Sequence, residues 1–285
     1  MASRALITGA GGQLGRELVT TFGAGPGETV GLDHAALDVS DREQVLQAVG
    51  AVRPTTIVHA AAWTDVDGCQ LDPDRAYRVN ALGARHVAEA ARLVGARIVY
   101  ISTDYVFDGT ANRPYNEWDA PNPLSVYGHS KLGGEAELGG EDTVVRTSWV
   151  YGQHGKNFVK TVLRRAAAGE PLRVVDDQWG SPTFAADLAA AVRRLAVARL
   201  PGVYHVTNQG STNWYGFACD IVKAAGLDPA RVTPVCSGEL DPPRPAPRPH
   251  YAVLDNAALR LSGLPILPDY HEPLARLAPL LLQAT

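Results

Sequence analysis

Residues 4–15 read RALITGAGGQLG, an apolar stretch that predicts a buried β-strand and runs directly into a glycine-rich turn. After the turn, Leu14, Leu18, Val19 and Phe22 follow helical spacing, which predicts that a helix begins there. Glycines let the turn be tight and the backbone approach a ligand closely, and the free N–H groups at a helix start attract anions. Strand, turn and helix in this order are the context that a dinucleotide-binding fingerprint requires.

The glycine pattern also has a purely structural interpretation, because a tight strand-to-helix turn needs glycine even without a ligand. Its spacing departs from the GxGxxG form. The surrounding strand and helix favour the cofactor interpretation. It predicts cofactor contacts at Gly9, Gly12, Gln13, Leu14 and Gly15.

The second predicted strand ends in a carboxylate, Asp33, eighteen residues beyond Gly15. Asp33 could accept hydrogen bonds from the adenosine ribose of a nicotinamide dinucleotide, or it is a solvated loop residue. Asp38 and Val39 are predicted to border the adenine. No arginine stands directly at this strand end to hold a 2′-phosphate, so NADPH and NADH are both compatible with the sequence.

Strands and helices alternate through the first half of the chain. Strands are predicted at 4–8, 28–32, 56–59, 97–102 and 143–147, and helices at 42–49 and 76–93. Gly95 is a natural residue to end the second of these helices. The alternation predicts an α/β fold, a doubly wound parallel Rossmann sheet.

The second half is less regular. Helices are predicted at 158–168, 185–198 and 214–225, and a short strand at 203–206; the five prolines in 241–249 predict an extended loop. We therefore expect a dinucleotide-binding domain at 1–148, to which later segments at about 184–210 return. Residues 149–285 are expected to form mainly a smaller, mixed α/β substrate-binding lobe.

A tyrosine and a lysine are spaced as YGHSK over residues 127–131, so on a helix Tyr127 and Lys131 share one face. A lysine ammonium beside the phenol favours the phenolate and is expected to lower the pKa of the tyrosine. Thr103 follows the fourth predicted strand, with Ser102 as a supporting or substitute hydroxyl. The combination of Tyr127 with Lys131 suits proton donation to a carbonyl oxygen while a hydride reaches the carbon.

The YxxxK spacing alone occurs often by chance on solvated helices. Together with the glycine turn and the strand-end hydroxyls, it favours catalysis. Both Thr103 and Tyr127 would lie at the carboxyl edge of the sheet, where doubly wound folds bind ligands.

Composition narrows the class of protein. The 285 residues carry a formal net charge of −4 without a basic run, which argues against nucleic-acid binding. The three cysteines lack metal-ligand spacing, and no apolar run is long enough for a signal segment or a membrane span. We expect a cytoplasmic protein with reduced thiols.

Eight stretches together resemble the dTDP-4-dehydrorhamnose reductase family within the extended short-chain dehydrogenase/reductase superfamily. They cover nearly the whole chain and are GAGGQLGREL (9–18), ALDVSD (36–41), HAAAWTDVD (59–67), STDYVFDG (102–109), YGHSKLGGE (127–135), RTSWVYG (146–152), DQWGSPT (177–183) and RPHYAVLD (248–255).

The resemblance implies a nicotinamide-dependent reduction of the 4-keto group of a dTDP-6-deoxy-L-hexulose. It implies Thr103, Tyr127 and Lys131 as catalytic residues. The implied contacts to the cofactor are Ala60, Ala61 and Ala62, and those to the substrate are Asp104, Trp149, Asn157, Gln178 and Arg248. The alternative role for Trp149 is core packing. Arg248 suits a bidentate hold on a diphosphate, and the alternative is that it is only an exposed charge on a loop.

Departures from the family pattern limit what is carried over. Family members often have Asn where His59 stands, so His59 is interpreted as a hydrogen-bonded structural residue. Some relatives dimerise through magnesium held by glutamates; Glu17 matches one such position without a clear C-terminal partner, and we expect no structural metal. The chain is expected to be a monomer or homodimer.

Two other functions stay open. One is the same reaction on a related dTDP-4-keto sugar of a natural-product pathway, which residues in 146–183 would decide. The other is a non-catalytic role, because the fold also resembles the regulatory beta subunit of methionine adenosyltransferase. Such a subunit has no need of Thr103, Tyr127 and Lys131 together.

Overall fold

The structure, a computed structural model, describes residues 3–283. Its strands are β1 (Arg4–Thr8), β2 (Glu28–Leu32), β3 (Thr56–His59), β4 (Arg97–Thr103), β5 (Thr143–Thr147), β6 (Val150–Tyr151), β7 (Leu172–Val175), β8 (Trp179–Gly180), β9 (Thr183–Phe184), β10 (Gly202–His205), β11 (Thr212–Asn213) and β12 (Val232–Val235). Its α-helices are α1 (Gln13–Gly23), α2 (Arg42–Val52), α3 (Val66–Leu71), α4 (Pro73–Tyr77), α5 (Gly83–Val94), α6 (Val126–Glu135), α7 (Phe158–Ala167), α8 (Ala185–Ala198), α9 (Trp214–Ala224), α10 (Ala257–Leu261) and α11 (His271–Gln283).

The central sheet has six strands in the order β2-β1-β3-β4-β5-β10, and every neighbouring pair is parallel. Since the chain crosses from β1 outward in both directions, ligand-binding loops gather at the carboxyl edge near β1 and β3. This confirms the predicted doubly wound Rossmann sheet. The late strand β10 pairs with β5 at the sheet edge.

Helices cover both faces of the sheet. On one face α1 packs on α8, where Leu18 and Leu188 are fully buried. On the other face α2 packs on α5, with Val45 and Val87 in the core. Strands buried on both faces need continuous apolar runs, which is why β1, β3 and β4 read as such in the sequence.

A smaller lobe is built around the parallel pair β7–β12 and the helices α7, α9 and α11. Its core contains Val159, Leu163, Phe217 and Leu274, each at most 1% exposed. The short pairs β6–β9 and β8–β11 belong to the same half of the chain. The predicted mixed α/β lobe is therefore present, and residues 241–249 form the extended loop that their prolines predicted.

The predicted helix at 76–93 differs in its first half. Residues 73–94 contain α4, a π-helical turn at Arg78–Leu82, and α5, which ends at Gly95 with φ +72° as its glycine suggested. The turn carries Asn80, whose amide binds the backbone of Trp63 through N–H···Oδ1 at 2.8 Å and Nδ2–H···O at 3.1 Å. This anchoring accounts for a widened turn that hydrophobic spacing could not predict.

Within residues 3–283, none of the helices combines the length and apolarity needed to cross a bilayer.

Candidate active site

The glycine turn between β1 and α1 is shaped by backbone contacts. Gly9 has φ +69°, and a Cβ there would lie 2.7 Å from the amide nitrogen of Ala61. A Cβ on Gly15 would fall on the carbonyl oxygen of Gly9 and 2.8 Å from Cα of Ala10. Each of these positions therefore needs glycine for its own geometry, whether or not a ligand is bound.

The start of α1 nevertheless has the property that a phosphate requires. Gly12 is its N-cap and offers no side chain to the first-turn N–H groups, whereas Ser125 caps α6 and Asp41 caps α2. Uncapped donors at a helix start, next to a turn without side chains, can bind the pyrophosphate of a dinucleotide. The chain's own residues thus fit a nicotinamide dinucleotide here.

The other predicted cofactor residues surround this turn. Asp33 is exposed beside the turn, since a Cβ on Gly11 would lie 3.1 Å from Cβ of Asp33. Asp38 accepts hydrogen bonds from the backbone and hydroxyl of Ser40 at 2.9 and 2.8 Å. Val39 is 3% exposed and packs in the core on the α5 side, so its side chain has a structural role there. Contacts of these residues with adenosine stay predictions.

The loop after β3 passes over Gly9. Ala61 donates its N–H to Oγ1 of Thr8 at 3.4 Å, and Ala60 and Ala62 flank it at half-buried positions. His59, the last residue of β3, is buried and hydrogen-bonded to Thr8 at 2.7 Å. Burial lowers the pKa of His59 to about 3, so it stays neutral. These contacts support the structural interpretation of His59.

Thr103 is the last residue of β4, one residue beyond the predicted strand end, and is buried. Its Oγ1 donates to Oδ1 of Asp104 at 2.9 Å and accepts the N–H of Tyr105 at 3.2 Å. Asp104 is 2% exposed, and its Oδ2 has no hydrogen-bond partner among residues 3–283. Burial raises the pKa of Asp104 to about 7.

Tyr127 and Lys131 lie one turn apart on α6, as their spacing predicted, and both are buried. The Ser125 cap fixes where α6 begins, and the Oγ of Ser130 donates to the carbonyl of Tyr127 at 2.8 Å. The Thr103 hydroxyl lies near enough to the Tyr127 phenol to influence its pKa. The strand-end hydroxyl and the tyrosine are thus brought together.

The expected lowering of the Tyr127 pKa by Lys131 is wrong for this structure. Burial raises the pKa of Tyr127 well above its usual range, and the nearby Thr103 hydroxyl reverses only part of that change. The physical reason is desolvation, which penalises the charged phenolate more than local contacts favour it. The phenol therefore keeps its proton near neutral pH, as a proton donor must.

Lys131 itself is perturbed in the opposite sense. Burial lowers its pKa to about 7, and the nearby carboxylate of Glu135 acts against that change. The Nζ atom lies 4.1 Å from the ring centroid of Tyr100, a cation–π contact.

Ser102, suggested as a supporting or substitute hydroxyl, has a different role. Because successive side chains of a strand point to opposite faces, Ser102 cannot share the orientation of Thr103. Its Oγ donates to Oε1 of Glu135 at 2.5 Å. Ser102 therefore cannot act in place of Thr103, because its hydroxyl faces away and binds Glu135.

A cavity of about 390 Å³ opens beside the tyrosine end of the site, where its wall includes Tyr105. It is lined by four arginines, one aspartate, two aromatic residues of the lobe and several aliphatic residues. The charged lining residues are Asp67, Arg165, Arg173, Arg244 and Arg248. An excess of cations in a concave site suits a polyanionic ligand.

Arg248, which was expected to suit a bidentate hold on a diphosphate or to be an exposed loop charge, has a protein partner in the structure. Arg248 already forms a bidentate ion pair with Asp67, at 3.0 and 2.7 Å, and its side chain is 11% exposed. The Arg248 guanidinium holds the pKa of Asp67 below its usual range. Arg248 lines the cavity, and its bidentate partner here is Asp67, so a contact between Arg248 and the substrate stays a prediction. Arg244 lines the same cavity, and burial together with Arg248 lowers its pKa.

Trp149 has φ +46°, an unusual conformation for a bulky residue. Its indole stacks on Trp214, with ring centroids 3.7 Å apart and planes at 13°. A Cβ on Gly180 would lie 2.5 Å from Cε2 of Trp149. Strain of this kind costs about 1–3 kcal/mol and is concentrated at ligand-binding sites, which favours the ligand role predicted for Trp149 over core packing alone.

Two predicted substrate residues are engaged elsewhere. The Oδ1 of Asn157 caps α7 by accepting the N–H of Lys160, and its Nδ2 donates to Oε1 of Gln13 at 2.7 Å. Gln178 is 6% exposed and donates to Oγ of Ser237 at 2.6 Å. Asn157 therefore joins the lobe to the glycine turn through Gln13, and direct sugar contacts of both residues stay predictions.

Sequence reasoning gave no role to Asp67, Arg244 or Glu135. Asp67 and Glu135 are the last residues of two of the stretches quoted above, and Arg244 lies within the proline-rich loop. The charge of each residue in these segments was the only sign in the sequence that it could have a role.

A family model described as the RmlD substrate binding domain matches residues 3–281. The dTDP-4-dehydrorhamnose reductase of Streptomyces griseus is 42% identical over 287 residues, covering 98% of this chain and 94% of the relative. The dTDP-4-keto-6-deoxy-D-glucose reductase of Streptomyces niveus is 40% identical over 290 residues, covering 99% and 98%.

Among solved structures, dTDP-4-dehydrorhamnose reductase from Bacillus anthracis str. Ames, in complex with NADP, has a TM-score of 0.93 to this chain. The identity is 42%, and the match covers 97% of this chain and 99% of that one.

Proposed function

This chain belongs to the RmlD substrate-binding-domain family, the dTDP-4-dehydrorhamnose reductases, and from that premise we propose that it reduces the 4-keto group of a dTDP-4-dehydro-6-deoxy-L-hexose. The substrate that the family membership indicates is dTDP-4-dehydro-L-rhamnose, which would give dTDP-L-rhamnose. One observation carries the proposal: the neighbouring Thr103 hydroxyl and Tyr127 phenol, with Lys131 one turn away, adjoin a cavity rich in arginine.

NADPH, with NADH as the alternative, would supply the hydride when bound. The residues that would hold it are those of the glycine turn, with uncapped N–H groups at the start of α1 facing the pyrophosphate. A relative at 42% identity is described in complex with NADP, which supports the phosphorylated cofactor.

The polar residues of the site have separate proposed roles in the reduction. Thr103 would donate to the ketone oxygen and Tyr127 would deliver the proton as the alcohol forms. The phenol is suited to this because burial keeps it protonated. Lys131 would hold the nicotinamide ribose. Asp104 would accept a sugar hydroxyl through Oδ2, which lacks a partner among residues 3–283.

The arginines of the cavity support a nucleoside diphosphate moiety in the substrate. A diphosphate offers several acceptor oxygens, and arginine forks bind such groups with charge-assisted hydrogen bonds. Phe158 and Trp214, which also line the cavity, offer apolar faces for a base or sugar ring.

The test is turnover with the epimerised keto sugar. The protein is incubated with NADPH and dTDP-4-keto-6-deoxy sugar made in the presence of its epimerase, and loss of NADPH absorbance is followed. The expected product, identified by NMR, is dTDP-L-rhamnose. NADPH binding without turnover on any 4-keto sugar would reject the proposal.

A second candidate is reduction of a related keto sugar of a natural-product pathway. The similarity to the Streptomyces niveus reductase, at 40% identity over 290 residues, favours it. The two candidates differ in substrate and product, so the same incubation with the epimerase omitted separates them: turnover without the epimerase, to a product other than dTDP-L-rhamnose, would favour the second.

Arg244→Ala is expected to raise KM for the dTDP-sugar about 10- to 100-fold while kcat changes little, because a charge-assisted hydrogen bond contributes about 1.5–3 kcal/mol. The reason is that Arg244 is a cation beside Arg248 in the wall of the cavity and would bind the substrate's diphosphate. Steady-state kinetics with varied sugar and saturating NADPH measures both constants.

The matched control is Arg260→Ala, which removes an exposed arginine that pairs with Asp255 outside the cavity. It should leave KM unchanged. An unchanged KM in Arg244→Ala as well would place the diphosphate elsewhere.

A further inference from the structure

We propose that Glu135 is a positioning residue for the reduction: held by Arg146 and Ser102, its carboxylate is the buried negative charge that keeps the Lys131 side chain in its ammonium form. The inference rests on the proposed function for its catalytic consequence, but the charge state of Lys131 can be measured without turnover.

The carboxylate of Glu135 is fixed by two strands of the central sheet. Arg146 on β5 donates from Nε and Nη2 to its two oxygens at 3.0 and 2.6 Å, and Ser102 on β4 donates to Oε1 at 2.5 Å. The side chains of Arg146 and Glu135 are only 5% and 8% exposed. A bidentate pair with a third donor leaves the carboxylate little freedom to turn away.

Glu135 is the last residue of α6 and follows Lys131 by one helical turn. Residues with this spacing share a helix face, with Cβ atoms about 5–6 Å apart. The side chain of Lys131 is buried, with its ammonium over the ring of Tyr100. A buried ammonium needs a compensating charge, because desolvation strongly favours the neutral amine.

Within residues 3–283, Glu135 is the acidic partner that acts on Lys131. Burial lowers the pKa of Lys131 and the charge of Glu135 raises it, and the resulting pKa is about 7. At this value a modest change in the surrounding charge decides whether the ammonium persists near neutral pH.

The other titratable groups around Lys131 cannot replace that charge. His59 on β3 and Tyr100 on β4 face it, and burial keeps both uncharged by lowering the pKa of His59 to about 3 and raising that of Tyr100. Tyr127 on the same helix also stays protonated. Asp104, with its pKa raised to about 7 by burial, hydrogen-bonds Thr103 and acts on Tyr127. The remaining buried charge, Arg146, is a cation.

Loss of the Glu135 carboxylate should shift the Lys131 pKa downward. A lysine is charged below its pKa, so removing the carboxylate lowers the pKa and the ammonium is lost at a lower pH. If the ammonium of Lys131 is needed for turnover, the alkaline limb of the kcat–pH profile moves to lower pH by the same amount. An opposite charge in close range shifts a pKa by about one to three units.

The chain makes a direct measurement practicable, because it has four lysines: Lys131, Lys156, Lys160 and Lys223. In protein labelled with carbon-13 at lysine Cε, each lysine gives one NMR signal whose shift reports its protonation. The Lys131 signal is assigned as the one that Lys131→Met lacks. Titration from about pH 5 to about pH 10 covers the range in which the four lysines titrate.

In Glu135→Gln, the Lys131 signal is expected to titrate about one pH unit or more below its wild-type midpoint. Glu137→Gln is the matched control: Glu137 is two residues on and pairs with Arg85 at the surface, at 2.9 and 2.8 Å. That variant should leave the Lys131 midpoint unchanged.

Glu135→Gln leaves the Arg146 cation buried without its partner, which can unfold the protein. Glu135→Gln with Arg146→Gln avoids the unpaired cation, and its Lys131 midpoint is compared with that of Arg146→Gln alone, so that the two proteins differ only in the carboxylate. An unchanged Lys131 midpoint in either folded variant overturns the proposal, whereas a wild-type chain that titrates as expected but does not turn over would reject only the proposed function.

Discussion

Tyr127→Phe is expected to lower kcat by about a hundred- to ten-thousand-fold, the usual contribution of a positioned proton donor. The substitution removes only the phenol oxygen, and the ring stays in the pocket formed with Tyr105, 5.6 Å away in an edge-to-face arrangement. The affinity for NADPH should stay within a few-fold of wild type. Steady-state turnover of the epimerised keto sugar and fluorescence titration of NADPH measure the two effects separately.

Tyr204→Phe is the matched control, because it removes the hydroxyl of a buried tyrosine on the edge strand β10. It should leave kcat unchanged. Turnover retained in Tyr127→Phe would show that another group donates the proton, and loss of NADPH binding would show that the hydroxyl acts mainly on the cofactor.

Much of the fold could be predicted because its determinants are local. Five strands of the sheet are marked by short apolar runs, and the glycine turn, the Ser125 cap and Gly95 mark where helices begin or end. Parallel strands joined by helices bring their carboxyl ends to one edge. Thr103 and Tyr127 could therefore be expected to meet although they are distant in the sequence.

What could not be predicted depends on pairs of residues that no local pattern connects. Asp67 and Arg248 are 181 positions apart, and their ion pair changes the role first given to the arginine. Asn157 and Gln13 are 144 positions apart, and their contact ties the lobe to the turn. Such partners become visible only once the lobe packs against the sheet.

The direction of the Tyr127 pKa was a different kind of error. The prediction that Tyr127 and Lys131 share a helix face was confirmed. Sequence spacing indicates which side chains are close, but it does not indicate how deeply they are buried. Burial raises the pKa of the phenol and lowers that of the ammonium, so desolvation sets the direction of both changes.

The second large effect is expected at the glycine turn. Gly15→Ala should weaken NADPH binding about 100-fold or more, or prevent folding, because the added methyl would meet the carbonyl of Gly9 and Cα of Ala10. Both are backbone atoms, so the clash can be relieved only by moving the turn away from the pyrophosphate position. Overpacking of this kind costs about 1–3 kcal/mol, and a displaced turn loses its bonds to the anion as well.

Gly23→Ala separates this effect from a general cost of changing α1. It lies at the other end of the same helix, and a Cβ there would meet nothing within 4 Å. Since alanine is the better helix former by about 1 kcal/mol, Gly23→Ala should unfold at the same or a higher temperature and bind NADPH normally. NADPH titration and thermal unfolding of both variants give the comparison. Normal affinity in a folded Gly15→Ala would mean that the turn does not hold the pyrophosphate, because a binding site in backbone contact with that methyl could not keep its geometry.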